Sequence, residues 1–575
     1  MAGALLLWEA DFLWKAQERN LFLSTSMFFE ERMLVPGGLL SWAGTYLTQF
    51  FFYPWLGTLL LCACWLLLMW LVKKAFALTN LWMPLALVPV GLLLLTIVDM
   101  GYWLYFLKLP GHFFVGTLGT ICVTALLWAF RCLPQQWYYQ WSLIVVTALL
   151  GYPAMGIYGM AATLLMGLYV WRQDPQPLWQ RIGASLWALA GTALVPLLCY
   201  HLIYYQTNLA NIYYAELPLF FITEEYPLYY LPYYGLALFF VLMTLTRLDG
   251  VKGFKSIAVQ VLVLGALTWS VVNYWYKDEN FHHELKMQRC IEQNDWQDVM
   301  EEAALQEDEP TRAIVMMRNL ALCRLGRQAD EMYLYPNGSK RYEAPFDMRL
   351  MMCVGPLIYY HYGMINYCVR LNTEMGVEFG WRVENLKQLA KSAILDKNDT
   401  EARKYLNLLK HTTFHQAWAE NVNEQPELKT VARMMHYANR LTFDQGNVER
   451  FLMNRLAESI YTDDEMFQEQ VLLSSLWTKE REQFWFHFDN YVKLHPGARI
   501  PRYIQEAAYL YAKIEGRPNI DQMPFDPSVK QSFYNFMQLA ERFDETEAKY
   551  AREGMKAFSD TYYYDYYLMR DLPEY

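Results

Sequence analysis

Acidic residues beside long apolar runs are the parts of this sequence most able to do chemistry. Glu9, Asp11 and Glu18 sit in a mixed segment ahead of the first long apolar run, and Asp99 closes a run of aliphatics. Glu216, Glu224 and Glu225 lie in an aromatic loop between two further runs. Charge at the edge of hydrocarbon is costly, so such residues are candidate site residues by default. A carboxyl held there can have a raised pKa and act as a general base. Their alternative role is interfacial charge, hydrated or paired with Lys15, Arg19 or Arg32. Other groupings carry less. His411 and His415 have the i,i+4 spacing that can present two imidazoles to a metal, but no third ligand stands nearby. Walker-type, GxSxG and HExxH motifs do not occur.

The elements that must position these residues follow from charge and hydropathy. Of 48 Lys/Arg and 58 Asp/Glu in 575 residues, only 12 and 11 precede residue 277; the remainder carries a net charge of about −11. That asymmetry marks a membrane unit followed by a charge-rich soluble unit. An acidic soluble half excludes nucleic acid as the natural partner. The fold class read from this is all-α: a polytopic helical bundle followed by a soluble helical domain. Three parts are expected: 1–53, a helix stub plus an outer interfacial loop; 54–276, the membrane bundle; 277–575, an extracytoplasmic helical domain.

Runs near 54–72, 81–98, 113–130, 137–153, 154–171, 182–204, 228–247 and 255–275 approach the ~20 residues that cross a bilayer. The fourth and fifth meet at Gly151–Gly156, either a tight turn or one broken helix. With residues 9–53 outside, inner loops collect Lys73, Lys74, Arg131, Arg172, Arg181, Arg247, Lys252 and Lys255. Outer loops keep only Lys15, Arg19, Arg32 and Lys108, as the positive-inside rule requires. Met1–Trp8 reads as the tail of a first spanning helix, and residues 9–53, apolar from Leu39 to Tyr53, as interfacial helices with Trp42, Tyr46 and Tyr53 as belt residues. Four of nine cysteines (Cys290, Cys323, Cys353, Cys368) fall in the soluble half and could form up to two disulfides there.

Beyond Tyr276 the pattern is amphipathic helix. Asn319–Gly326, Ala390–Ala402, and Tyr491–Pro496 with Glu506–Tyr511 resemble parts of tetratricopeptide helix pairs, at irregular period; a non-repetitive helical bundle is the alternative. The aromatic tail Tyr562–Tyr567 is expected to pack onto the last helices.

A charge-bearing outer loop before many helices and a soluble C-terminal domain also resembles the GT-C class of membrane glycosyltransferases. That resemblance implies a polyprenyl-phosphate sugar donor, Asp11 or Glu9 as base or partner of a divalent metal, and Arg19 or Arg32 on the lipid phosphate; the adjacent Asp-Glu pair of that class is missing from this loop. Phe12–Phe22, Val35–Leu39 and Thr48–Phe51, continuing to Asn280–Lys286, resemble a family of Bacteroidota inner-membrane proteins of unknown function. This implies the bacterial inner membrane, a multi-pass architecture and a periplasmic C-terminal domain. Two functions follow as expectations: an envelope scaffold that recruits proteins through the helical domain, or a GT-C-like transferase acting on a lipid-linked sugar. Asp99, Glu216, Glu224 and Glu225 would line its substrate site.

Overall fold

Long runs of Leu, Val and Ile can satisfy their backbone groups within hydrocarbon only as helices, and helices are what the chain forms. The computed structural model describes residues 2–173, 176–220, 227–246, 254–340, 349–439, 448–458, 462–543 and 548–572. No strand occurs among them; one isolated antiparallel bridge joins Leu107 to Phe220. The chain divides into two units. The first comprises 1–278, 375–386 and 406–420; the second comprises 279–374, 387–405 and 421–575.

The first unit opens with short helices α1 (Ala2–Trp8), α2 (Ala10–Glu18), α3 (Ser26–Arg32) and α4 (Gly38–Thr48). Longer ones follow: α5 (Pro54–Phe76), α6 (Leu87–Val98), α7 (His112–Cys132), α8 (Trp137–Met155), α9 (Ile157–Tyr169), α10 (Leu178–Leu202), α11 (Leu231–Leu245) and α12 (Phe254–Tyr274). Six stretches among the described residues are long and apolar enough to cross a membrane: Pro54–Phe76, Asn80–Val98, His112–Cys132, Leu178–Leu202, Leu228–Leu245 and Ser256–Tyr274. The eight expected from hydropathy therefore reduce to six by this measure. α8 begins with the polar-aromatic turn Trp-Tyr-Tyr-Gln, and α9 has only 13 residues.

α8 and α9 are nevertheless two helices and not one broken helix. Gly156 (φ 57°) reverses the chain between them, and Gly151 meets Gly159 so closely that a Cβ on Gly159 would lie 2.2 Å from the Gly151 backbone. Loop residues gather by end. Arg131 reaches the carbonyl of Lys74, and Arg172 reaches those of Met243 and Phe76. Away from that basic cluster, Gly37 donates to Pro153, Ile157 to Ala215, and Gly111 abuts Thr45. α4 is more than an interfacial helix: Gly44 packs on Val115 of α7, while Ser41, Thr45 and Thr48 are buried and return their hydroxyl protons to carbonyls three or four residues back.

The second unit is a succession of helix pairs. α13 (Glu279–Glu292), α14 (Trp296–Leu305) and α15 (Arg312–Arg324) pack in sequence, with Thr311 capping α15 and donating to the buried Glu284. Val448–Ala457, Glu465–Trp477 and Arg481–Leu494 repeat the arrangement. Asn319–Gly326 falls at the end of α15, where Gly326 (φ 66°) turns the chain, and Ala390–Ala402 and Tyr491–Pro496 each contain a helix end. The tail packs as expected: Tyr562 and Tyr563 are fully buried, and Tyr562 bonds the carbonyl of Leu476. A buried Lys340–Asp565 pair at 3.0 Å ties the tail back. No cysteine is in a disulfide, so the bridges that Cys290, Cys323, Cys353 and Cys368 could have made are not formed.

The α8–α9 contact has a direct consequence. Gly159→Val drives a branched side chain into backbone, and overpacking of this kind costs about 1–3 kcal/mol or more. Gly265→Ala meets nothing within 4 Å and gains helix propensity. Thermal unfolding of the detergent-solubilised protein should show a lowered midpoint for the first and an unchanged or raised one for the second.

Candidate functional site

α2 is amphipathic, and its polar stripe is buried. Lys15, Gln17, Glu18 and Arg19 are all at most 9% exposed, so each charge needs a partner. The partner of two of them is Glu384, which comes from far along the chain but lies in the same unit. Its carboxylate takes Lys15 Nζ at 2.7 Å and Arg19 Nη1 at 2.7 Å. Arg19 also donates from Nη2 to the carbonyl of Tyr105 at 2.8 Å, with the guanidinium 4.5 Å from that tyrosine's ring centroid. Gln17 is shared between Glu18 (2.7 Å) and His415 (3.1 Å). His415 is therefore a buried packing residue; His411 does not join it in a ligand set, and no group of three metal-ligating side chains occurs among the described residues.

Arg19 lines a polar cavity of about 270 Å³. Its other cationic walls are Arg32, at the end of α3; Lys108, before α7; and Arg382, from the turn after Gly380. That turn is fixed locally. Gly380 (φ 85°) ends the helix Ile365–Phe379 in the left-handed region, and Trp381 folds back onto Gly376. Arg382 then donates from Nη2 to the carbonyl of Leu107 at 3.0 Å. Lys108 is paired with Glu378. His112, the first residue of α7, and Asn20 complete the polar wall, and Glu31 is the one carboxylate in it. Arg19 Nε, Arg32 Nε and Arg382 Nη1 are buried donors without an acceptor among the described residues. Arginine holds its proton at any working pH, so these are permanent donors. Three guanidinium groups with spare donors around one cavity have the chemistry to hold an anion.

The expected site residues fall in different places. Arg19 and Arg32 share the cavity; Glu9, Asp11, Asp99 and Glu216 are not among its lining residues. Glu9 is buried and accepts from Trp275 Nε1 at 2.7 Å; burial pushes its pKa up to about 7. Asp11 lies half-buried in the first turn of α2, and Asp99 caps the end of α6. Glu216 is buried in the left-handed region (φ 72°), wedged against Gly37 and Gly156. Burial holds its carboxyl well above the usual range, against the opposing pull of Arg32 and a hydrogen bond to Ser41. Burial likewise lowers the Arg32 pKa, while Glu31 and Glu216 raise it. Glu224 and Glu225 lie outside the described residues. Sequence reasoning missed Lys108, His112 and Arg382. Lys108 stood out only as an outer-loop cation, and nothing local distinguishes Arg382 from the many other charges of its half.

A second cavity, of about 540 Å³, lies among α7, α9, α10 and α11; Val123, Leu165, Leu189, Leu236 and Phe240 line it, with Tyr158 and Tyr233. It is almost wholly apolar.

The match that decides the family runs over residues 1–570, to the model of the family of unknown function DUF6057. The chain belongs to this family. No curated protein and no solved structure matches it.

Two outcomes test this geometry. Glu384→Gln leaves Lys15 and Arg19 buried without a counter-charge, a loss of about 3 kcal/mol or more, read as a large fall in thermal midpoint. Glu9 has a folded-state pKa above its ordinary 4.5. Its contribution is intact below about pH 4.5 and declines as pH rises through about 7, by no more than about 3 kcal/mol. Glu9→Gln retains an acceptor for Trp275 and should remove that part of the decline, seen as a shallower stability profile than wild type between about pH 5 and pH 8; Glu469 and Glu506, also raised to about 7 by burial, still titrate there.

Proposed function

We propose that the chain is a multi-pass protein of the bacterial inner membrane whose first unit binds an anionic, phosphate-bearing lipid at the outer face. The carrying observation is the convergence of Arg19, Arg32 and Arg382, each with an unpartnered N–H, on one cavity. Its position supports the outer assignment: His112 stands at the opposite end of α7 from Arg131, whose contact with Lys74 marks the basic end. That gathering of basic loop ends also favours eight crossings, with α8 and α9 both traversing, and a periplasmic second unit. The apolar cavity in the same unit is of a size that suits a hydrocarbon chain, which favours a lipid over a soluble anion.

A GT-C-like transferase using a polyprenyl-phosphate-linked sugar is the enzymatic form of this reading. Arg19 and Arg32 are the residues that resemblance assigned to the lipid phosphate, and they lie together. The base is a separate matter, since Asp11 and Glu9 stand outside the cavity wall. A divalent metal would find Glu31 as its one carboxylate in that wall.

The second reading is an envelope scaffold, in which the tetratricopeptide-like second unit recruits proteins. The succession of packed helix pairs in that unit favours it.

Farnesyl phosphate binding to the purified full-length protein, followed by tryptophan fluorescence, tests the first reading. Arg32→Gln and Arg382→Gln should each weaken binding about tenfold or more, the worth of one charge-assisted hydrogen bond. Arg370→Gln, whose pair with Glu374 is exposed, should leave it unchanged. Absence of binding, or equal binding by all four proteins, would falsify the lipid-phosphate reading.

A further inference from the structure

The cavity wall contains unpartnered acceptors as well as donors. Asn20 donates from Nδ2 to the carbonyl of Thr45 at 3.0 Å, which fixes the amide and leaves its Oδ1 without a donor. His112 is the more informative case. Its Nε2 lies 2.8 Å from Tyr229 Oη and 3.3 Å from the carbonyl of Thr96, and Tyr229 Oη lies 2.8 Å from that same carbonyl.

A carbonyl oxygen only accepts, so the short approach of Tyr229 Oη to Thr96 requires the tyrosine's own proton between them. Tyr229 then has no proton left to give the imidazole. Nε2 must therefore be the protonated nitrogen, donating to Tyr229 and toward Thr96. Nδ1 is buried and has no partner among the described residues. Were it protonated as well, it would be a buried N–H without an acceptor among the described residues, in a wall that already carries Arg19, Arg32, Lys108 and Arg382. It therefore presents a lone pair.

A bare tetrahedral anion suits only half of such a wall. Against Nδ1, an unprotonated oxygen places lone pair against lone pair, whereas an O–H placed there is satisfied. We propose that the cavity selects a singly protonated phosphate monoester, its ionised oxygens taking the guanidinium donors and its P–OH donating to His112 Nδ1. This rests on the phosphate reading of the cavity and narrows it to one ester class. Phosphodiesters and sulfate esters have the anionic oxygens but no acidic O–H, so they leave Nδ1 buried and unpaired. Sites built around a ligand O–H reject analogues that lack it for this reason.

The experiment compares farnesyl phosphate with farnesyl sulfate, which share tail and tetrahedral shape. Binding to the full-length protein in detergent is measured at about pH 5.5, below the second phosphate pKa of about 6. The phosphate should bind at least about tenfold tighter to the wild-type protein. In His112→Gln, whose amide offers a donor as well as an acceptor, the ratio should fall toward one. Equal affinity for the two esters in the wild-type protein, or tighter binding of the sulfate, overturns the inference while leaving the anion site standing. Failure of both esters to bind removes the anion site itself. The wild-type comparison needs no variant, so the inference stands or falls even where His112→Gln does not fold.

Discussion

One carboxylate holds the candidate site together. Glu384 meets Lys15 and Arg19 at 2.7 Å each, in surroundings where neither cation could remain alone. Removing a cation from water costs several kcal/mol, which only a close opposite charge and further hydrogen bonds offset. The constraint propagates outward. Arg19 is neutralised by Glu384 and anchored by the carbonyl of Tyr105, which fixes its guanidinium in the cavity wall and leaves Nε without an acceptor among the described residues. Lys108 with Glu378 and Arg382 with the carbonyl of Leu107 repeat the same arrangement, each cation held on one flank. The wall is thus pre-organised: its charges do not wait for a ligand to give them a position.

The fold was legible in the sequence wherever one-dimensional pattern decides structure. Charge density changes near residue 277, but it carries no sign that 375–386 and 406–420 pack with the first unit. Hydropathy finds the long helices because a bilayer imposes a length, and Gly151–Gly156 marks the α8–α9 reversal because positive φ favours glycine. α4 was harder. Ser41, Thr45 and Thr48 look like contact with water, yet each hydroxyl bonds back along its own helix, so the surface they cover is buried.

The site was legible in part. Arg19 and Arg32 stand out as the rare cations of a charge-poor half. Arg382 does not, since it belongs to a half where cations are common, and only folding brings it to Leu107, 275 positions earlier. His112 is hidden for another reason. An imidazole at the start of an apolar helix reads as a cap, and what makes it interesting is the proton bookkeeping of Tyr229 and the Thr96 carbonyl. Glu9 shows the reverse: its sequence position promised chemistry, and the structure gives it the indole of Trp275 as a partner.

The two segments 375–386 and 406–420 of the first unit carry a temporal implication. A chain made from its N-terminus inserts its apolar helices long before Glu384 leaves the ribosome. Until then Lys15 and Arg19 have no counter-ion from that source and must stay hydrated. The first unit is therefore finished late: its closing residues arrive only when some 420 of 575 have been synthesised. Biogenesis must hold that half-built wall open to water until its far-off acid returns.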